Sequence, residues 1–569
     1  MDVRENETCE TRDGVELAVD VHLPEEGGEH PALLAFSPYG KDLQRATFFL
    51  PRQPHESTLW NGAIEAGDTE RIVEGGYAHV VGDVRGTGAS GGEYRGFFDT
   101  DGQDGYDLVE WIADREWCDG QVGLAGRSWF GTNQLLVAAE NPPSLIGAFP
   151  SGVYTDLYRE VAYHGGALNL FPQLWWNYIV DENWTSRERA ERGEEAFEAA
   201  LAAKLDDPDV RNYPDLYTLL QYPEQNPQFV DTVLNDTDNE FYAERSPHTV
   251  LDEIDCPVYL SGAWKGTHTA PTYTAYEGIE ADDLKVMMTP PRKLERPYHE
   301  YTGEMLRWYD HLLADEGNGS GNTNGIGEEP PVKTYISGAE RWRFEDDLLL
   351  DRTEWREYYL RNHDRLLPDP DPLGEVPPSG FVQEPLTIGM EVASSAFRTP
   401  PITEPTEITG PIALVLYASI DSTDTTWMAR LYDVSPDGSR TPLGRGYLRA
   451  SHRALDEDES EPYAPHHPHE ESEPVTPGEV IEYHIGIQPI GHEFGPGHRL
   501  ELELRSMEIQ GAGEDFLIES FHLPRSETIA HELYHDAEHP SHLLLPFVPE
   551  TDPERYIEAG DPAHPGPSL

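Results

Sequence analysis

GLAGRSWFGTNQ, residues 123–134, is the stretch that decides the fold. It reads as the end of a buried strand, a glycine, a serine and the start of a helix. A serine on a sharp strand-to-helix turn is a nucleophile elbow, patterned Gly-x-Ser-x-Gly. Gly126-Arg127-Ser128 fits, and the second glycine, Gly131, arrives one residue late. A serine hydroxyl is a poor nucleophile until a base takes its proton and donors stabilise the oxyanion. The turn exposes the hydroxyl, and the N-terminus of the following helix adds positive potential. The backbone N–H of Trp129 is one candidate oxyanion donor. The hydroxyl of Tyr39, in SPYG (37–40) after an apolar strand, is a candidate for the second. The plainer reading of Ser128 is a turn serine.

The flanking sequence supplies a sheet for such an elbow. VELAVDVHLP, PALLAFSPYG, YAHVVGDVRG and QVGLAG read as strands, and GYDLVEWIADREW has apolar residues at helical spacing. Strands alternating with helices predict a parallel sheet covered on both faces. The reading places a first core segment at residues 1–150. A helical insertion follows at 151–245, carrying NLFPQLWWNYIV and SRERAERGEEAFEAALAAKL without a clear strand. CPVYLSGAW, LKVMMTP and the helix GEMLRWYDHLLAD resume the core over 246–353. From 354 to 569 period-two segments such as GPIALVLYASI, TWMARLYDV and RLELELRS predict an all-β domain.

With 569 residues the chain exceeds one core. Its 106 acidic and 40 basic residues give a formal charge of -66, and only 6 of the basic residues are lysine. An acidic, lysine-poor surface suits molar salt, where the screening length falls to about 3 Å. The composition predicts a halophile's protein. Abundant aromatic residues argue against disorder. No basic stripe is present to meet phosphates, so nucleic acid is not expected as a partner. MDVRENETCE has no apolar leader core, and no run of about 18 apolar residues occurs. Three scattered cysteines, Cys9, Cys118 and Cys256, make no disulfide framework. These features predict a cytoplasmic protein without a membrane partner; they leave its oligomeric state open.

Two motifs compete with the elbow. GTGASG (86–91) matches a dinucleotide fingerprint, but GGEYRGFFDTDG does not open a helix behind it. It reads as a glycine-rich loop beside the active site. HELYH (531–535) matches a zinc motif whose histidines share a helix face, with His531 and His535 as ligands and Glu532 as base. It sits in the β region and closes on a strand-like run. The histidines at 466, 467 and 469 fall in a polar loop and read as solvated. No cofactor and no metal are expected.

These residues together resemble the cocaine esterase and X-Pro dipeptidyl-peptidase family (CocE/NonD type) of serine hydrolases, over nearly the whole chain. SPYGK is similar to its oxyanion-tyrosine strand end, and GDVRGTGASGGEY to its Asp-Val-Arg-Gly-x-Gly-x-Ser-x-Gly stretch. DGYDLVEWIADREWCDGQVGLAGRSWFG is similar to the helix, strand and elbow that follow. EITGPIALVLYASIDSTDTTWMARLYDVSPDG, LGRGYLRASHR and GPGHRLELEL resemble its C-terminal jelly roll. The family elbow is Gly-x-Ser-Tyr-x-Gly, which accounts for Gly131 and puts Trp129 in place of tyrosine. The resemblance implies an α/β-hydrolase core, a helical cap insertion and a galactose-binding-like jelly roll. It also implies Ser128 as nucleophile, with Tyr39 and the Trp129 N–H as the oxyanion hole.

The rest of the triad departs from the family. Its acid lies in a Gly-Trp-x-Asp stretch, where SGAWKGTHT has Gly266. Its histidine follows the next strand, where MMTPPRKLERPYHEY has Lys293 near that place. Three bases stay open. Lys293 serves if burial lowers its pKa, His299 with Glu295 or Glu300 as orienter, and His268 from two residues past Gly266. Lys41, Lys265 and Lys293 all stand beside expected active-site loops. The function expected is a serine hydrolase cleaving small esters or amides, X-Pro dipeptidyl bonds included, through an acyl-enzyme. FPQLWWNYIV in the cap would offer an aromatic pocket wall. The rival readings are a binding protein that kept the fold without its base, and a zinc enzyme using HELYH. The composition makes one prediction. Circular-dichroism melting should give a higher midpoint in molar KCl than in dilute buffer, and an unchanged midpoint would overturn the halophile reading.

Overall fold

The computed structural model describes residues 1–25, 27–42, 44, 65–172, 186–290, 299–315, 325–374, 376–389, 391–508, 521–549 and 552–557. Its strands begin β1 (Asp2–Glu10), β2 (Glu16–Leu23), β3 (His30–Ser37), β4 (Ala78–Asp83), β5 (Cys118–Leu124) and β6 (Leu145–Ala148). A short hairpin follows, β7 (Tyr163–His164) and β8 (Ala167–Leu168), then β9 (Val258–Ala263), β10 (Leu284–Thr289), β11 (Val332–Ile336) and β12 (Arg341–Glu345). All but the hairpin form one ten-stranded sheet, ordered β1-β2-β4-β3-β5-β6-β9-β10-β11-β12. Pairing is parallel from β4 through β11 and antiparallel at β1–β2, β2–β4 and β11–β12. Strands covered on both faces need apolar residues on both, and Leu33 to Phe36, Val80 and Val81 are buried accordingly. β5 stands mid-sheet, so its C-terminal end opens where ligands bind in open α/β sheets. This is the expected α/β-hydrolase architecture. β1 was not legible. Its first five residues are exposed, and a charged edge strand lacks the apolar alternation that marks a half-buried one.

Three helices frame the site: α1 (Thr69–Glu74), α2 (Asp101–Ala113) and α3 (Trp129–Ala139). α3 is apolar nearly all round and almost wholly buried, as a helix between two layers must be. In the insertion, SRERAERGEEAFEAALAAKL forms two helices, Arg187–Arg192 and Glu194–Asp206, which break at Gly193 (φ 78°). The β7–β8 hairpin corrects the expectation that this region holds no strand. The aromatic run FPQLWWNYIV lies outside the described residues from position 173 onward.

The C-terminal part is an eleven-stranded, largely antiparallel sheet around its own core, which includes Leu414, Leu416, Trp427, Ile485 and Leu502. It docks on the first sheet through three kinds of contact. Backbone bonds join Ser337 to Gly491 and Glu493. Trp264 packs where a side chain on Gly491 would lie 2.6 Å from its ring. Arg343, on β12, is fully buried and donates to both carboxylate oxygens of Glu407, on the strand Thr406–Ile420, at 2.6 Å each. Removing one partner leaves a buried charge uncompensated, which costs about 3–5 kcal/mol. Arg343→Met should therefore lower the unfolding free energy by that order and the denaturant midpoint with it, with the all-β part released first. Unchanged unfolding, followed by tryptophan fluorescence, would show that the clamp does not hold the two parts together.

Candidate active site

Ser128 opens α3 as its cap residue with φ 60°, ψ -119°. A non-glycine residue at positive φ is uncommon and persists where its surroundings over-determine it. Here they do. The Ser128 N–H donates to Ser151 O at 2.9 Å, the Arg127 N–H to Glu65 O at 2.9 Å, and the Thr132 N–H to Ser128 O at 2.8 Å. Both glycines are required sterically. A Cβ on Gly126 (φ 122°) would lie 2.4 Å from Phe130 Cβ, and one on Gly131 would lie 2.4 Å from Ser151 O. The first turn of α3 crosses Ser151 at Gly131, which is why the second glycine comes one residue late. A serine in this position ordinarily caps its helix. Ser128 makes no such bond, so its hydroxyl is not engaged by the helix.

On one side of the elbow lies an aromatic box. The Tyr39 ring meets Trp129 edge-on at 5.8 Å, and Phe97 stacks on Trp129 at 6.0 Å. Phe98, held at φ 50°, packs at 4.4 Å. All four are buried. The Trp129 Nε1–H donates to the Asp101 carboxylate at 3.2 Å. Burial, with Asp104 and Asp99 adding to it, pushes the Asp101 carboxyl up to about 7. The glycine-rich loop after β4 is a run of turns, which excludes the dinucleotide reading. A Cβ on Gly88 would lie 2.2 Å from Asp83, whose carboxylate accepts from the N–H groups of Lys41 (2.6 Å) and Ala89 (2.9 Å). That ties the Tyr39 loop to β4. Lys41 itself is buried against Asp20 at 3.1 Å, which makes it a structural cation.

The other side is sparser. Gly266 O accepts from Gln488 Nε2 at 3.3 Å, so the all-β part reaches the position where the family acid was expected. Lys265 adopts φ 65°. His268 is 2 % exposed, beside the Tyr154 ring at 4.5 Å, and neither ring nitrogen has a hydrogen-bond partner among the described residues. A Cβ on Gly152 would lie 3.3 Å from its Nδ1 and 3.2 Å from Arg127 Nε. Burial and the Arg127 charge hold His268 well below the usual histidine range. Lys293 and Glu295 lie outside the described residues, while His299 and Glu300 open the helix His299–Asp315.

The remaining motifs separate from the site. HELYH lies on the strand Ile529–Tyr534 rather than on the helix its zinc reading needs. His531 bonds Thr425 and His535 bonds Ser379. Among the described residues no group of three His, Cys, Asp or Glu side chains could hold a metal, and no helix is long and apolar enough to cross a membrane. The 466–469 loop corrects another expectation. His467 and His469 are buried, and His467 bonds the carbonyls of Ala454 and His484. Asp101 was not singled out in the sequence, because an acid in the first turn of a helix is also the ordinary dipole partner.

Comparison with known proteins agrees with this fold. Residues 13–292 match the X-Pro dipeptidyl-peptidase (S15 family) model, and residues 324–544 match the X-Pro dipeptidyl-peptidase C-terminal non-catalytic domain. Cocaine esterase of Rhodococcus sp. (strain MB1 Bresler) is 27% identical over 606 aligned positions, covering 96% of this chain and 98% of the relative. A putative serine esterase of Mycobacterium bovis is 26% identical, covering 87% and 88%. A CocE/NonD family hydrolase from Staphylococcus aureus superposes with TM-score 0.75 at 21% identity, over 96% of this chain and 94% of that one. An alpha-amino acid ester hydrolase superposes with TM-score 0.73 at 19% identity, over 96% of each chain.

The elbow makes its own prediction. Gly131→Ala forces a methyl against Ser151 O, and such overpacking costs about 1–3 kcal/mol. The variant should melt lower and lose reactivity at position 128. Unchanged melting and reactivity would mean that Ser151 does not set the turn.

Proposed function

The chain belongs to the cocaine esterase and X-Pro dipeptidyl-peptidase family of hydrolases, and from there we propose that it is a serine hydrolase of small carboxylic esters or amides with Ser128 as nucleophile. The observation that carries this is the Ser128 backbone, held at φ 60° with its hydroxyl unused by the helix it heads. Strain of that kind is kept where chemistry needs it. Ser128 Oγ attacks the substrate carbonyl. The Tyr39 hydroxyl and the Trp129 N–H receive the oxyanion; the leaving group departs protonated, and water then hydrolyses the acyl-enzyme. The relatives that match almost end to end carry esterase names, which favours an ester over an X-Pro peptide as the bond cleaved.

The base must gain a proton as Ser128 loses one. His268 is poorly suited to this, since burial and the Arg127 cation both oppose an imidazolium there. We assign the role to the segment after β10 that carries Lys293 and His299. In this topology β10 lies two strands beyond β6 in the sheet.

The test is labelling by a fluorophosphonate probe in molar KCl, compared with Ser128→Ala. Labelling should vanish in the variant. Lys293→Met and His299→Gln should then separate, the true base costing about 10²–10⁴-fold in ester hydrolysis. A folded wild-type protein that does not label would overturn the hydrolase reading. Full activity in both base variants would move the base elsewhere.

A further inference from the structure

Among the buried groups around the elbow, the mechanism leaves the Asp101 carboxyl unused. Asp101 sits in the first turn of α2, 2 % exposed, and its carboxylate accepts from the indole of Trp129. Trp129 is the residue whose backbone N–H the proposed mechanism aims at the oxyanion. We infer that Asp101 is a positioning residue of this hydrolase, fixing the Trp129 N–H in the oxyanion hole by anchoring the Trp129 side chain to α2. The inference rests on the serine-hydrolase reading above.

Three observations support it. The anchor is a polar contact of a side chain against which three rings pack. Tyr39 is edge-on to it at 5.8 Å, Phe97 stacks at 6.0 Å, and Phe98 packs at 4.4 Å. Ring packing alone permits sliding; a directional bond at the ring edge does not. Second, Phe98 is held at φ 50°. A bulky residue there is an outlier, of the kind maintained where the surroundings fix a site. Third, α2 is itself anchored. Arg85, beyond β4 on the loop that also holds the Tyr39 turn, donates to Asp104 at 2.7 Å. The β4 loop is thus bonded to α2 at Asp104, Trp129 is bonded to the same helix at Asp101, and Tyr39 packs on the Trp129 ring from the other side.

A buried carboxyl is costly unless it is bonded, and a plain packing role would be served as well by leucine. The amide of asparagine offers a carbonyl oxygen to the indole at nearly the same volume. That contrast gives the test.

The experiment compares wild type, Asp101→Leu, Asp101→Asn, Trp129→Phe and the Asp101→Leu/Trp129→Phe pair in molar KCl. It reads fluorophosphonate labelling of Ser128, and kcat and KM on p-nitrophenyl acetate. Loss of one oxyanion donor costs about 10²–10³-fold, and its misalignment costs part of that. Asp101→Leu and Trp129→Phe should each lower kcat by about tenfold or more, with KM within about twofold. The pair should fall no further than either single variant, since both remove one anchor. Asp101→Asn should recover most of the lost kcat. Multiplying effects, an Asp101→Asn as slow as Asp101→Leu, or wild-type kcat in folded Asp101→Leu would each overturn the inference. If Asp101→Leu does not fold, Trp129→Phe decides: a lowered kcat at constant KM supports the anchor, and an unchanged kcat refutes it. A wild-type protein that fails to label removes the hydrolase reading and this inference together. A labelled wild type with an unaffected Asp101→Leu removes this inference alone.

Discussion

The hydrogen bond from the Ser128 N–H to Ser151 O is the constraint on which the site depends. It joins the elbow to the chain leaving β6, and so fixes the turn to the sheet rather than to its own helix. Everything nearby is shaped to permit it. Gly131 exists because the first turn of α3 must pass over Ser151, and Gly126 because the turn must pass under Phe130. With those contacts in place, Ser128 has no freedom to relax into the cap conformation that a serine heading a helix otherwise adopts. The hydroxyl is left without a bond to the helix it heads as a consequence of backbone geometry.

The two sides of that serine are built unequally. The side of Tyr39 and Trp129, which carries the proposed oxyanion donors, is dense: aromatic rings, a buried carboxyl and a loop sewn to Asp83 hold the two residues from several directions. Preorganised donors are effective only when they need not move as charge develops, and this packing supplies that rigidity. The opposite side holds His268, without a hydrogen-bond partner among the described residues and held by burial and Arg127 well below the usual histidine range, and a glycine where the family resemblance implies an acid.

The fold was largely legible because its central strands are buried on both faces and so read as continuous apolar runs. The elbow was legible because glycine cannot be substituted at two of its positions. What escaped follows a physical pattern. β1 is an exposed edge, and its pairing with β2 is carried by backbone bonds that leave no apolar signature. The β7–β8 hairpin is two residues a side, below any periodicity. His467 and His469 lie in a polar, proline-rich stretch that folds down on itself, and burial by a loop has no period at all. Asp101 was unreadable for another reason: its sequence context is that of any helix start, and only its contact with Trp129 distinguishes it.

The charge balance looks different once its scarce cations are located. Among the described lysines, Lys41, Lys285 and Lys333 are buried, although lysine is ordinarily among the most exposed residue types. Lys41 faces Asp20, Lys333 faces Glu304, and Lys285 donates to Glu329 O. Arg343 likewise meets Glu407 and Glu345 in the interior. A surface lysine is worth little to stability and can be exchanged for an acid at small cost. A lysine that neutralises a buried carboxylate cannot, because its loss strands the charge. A chain that lost lysine from its surface would keep it in these places.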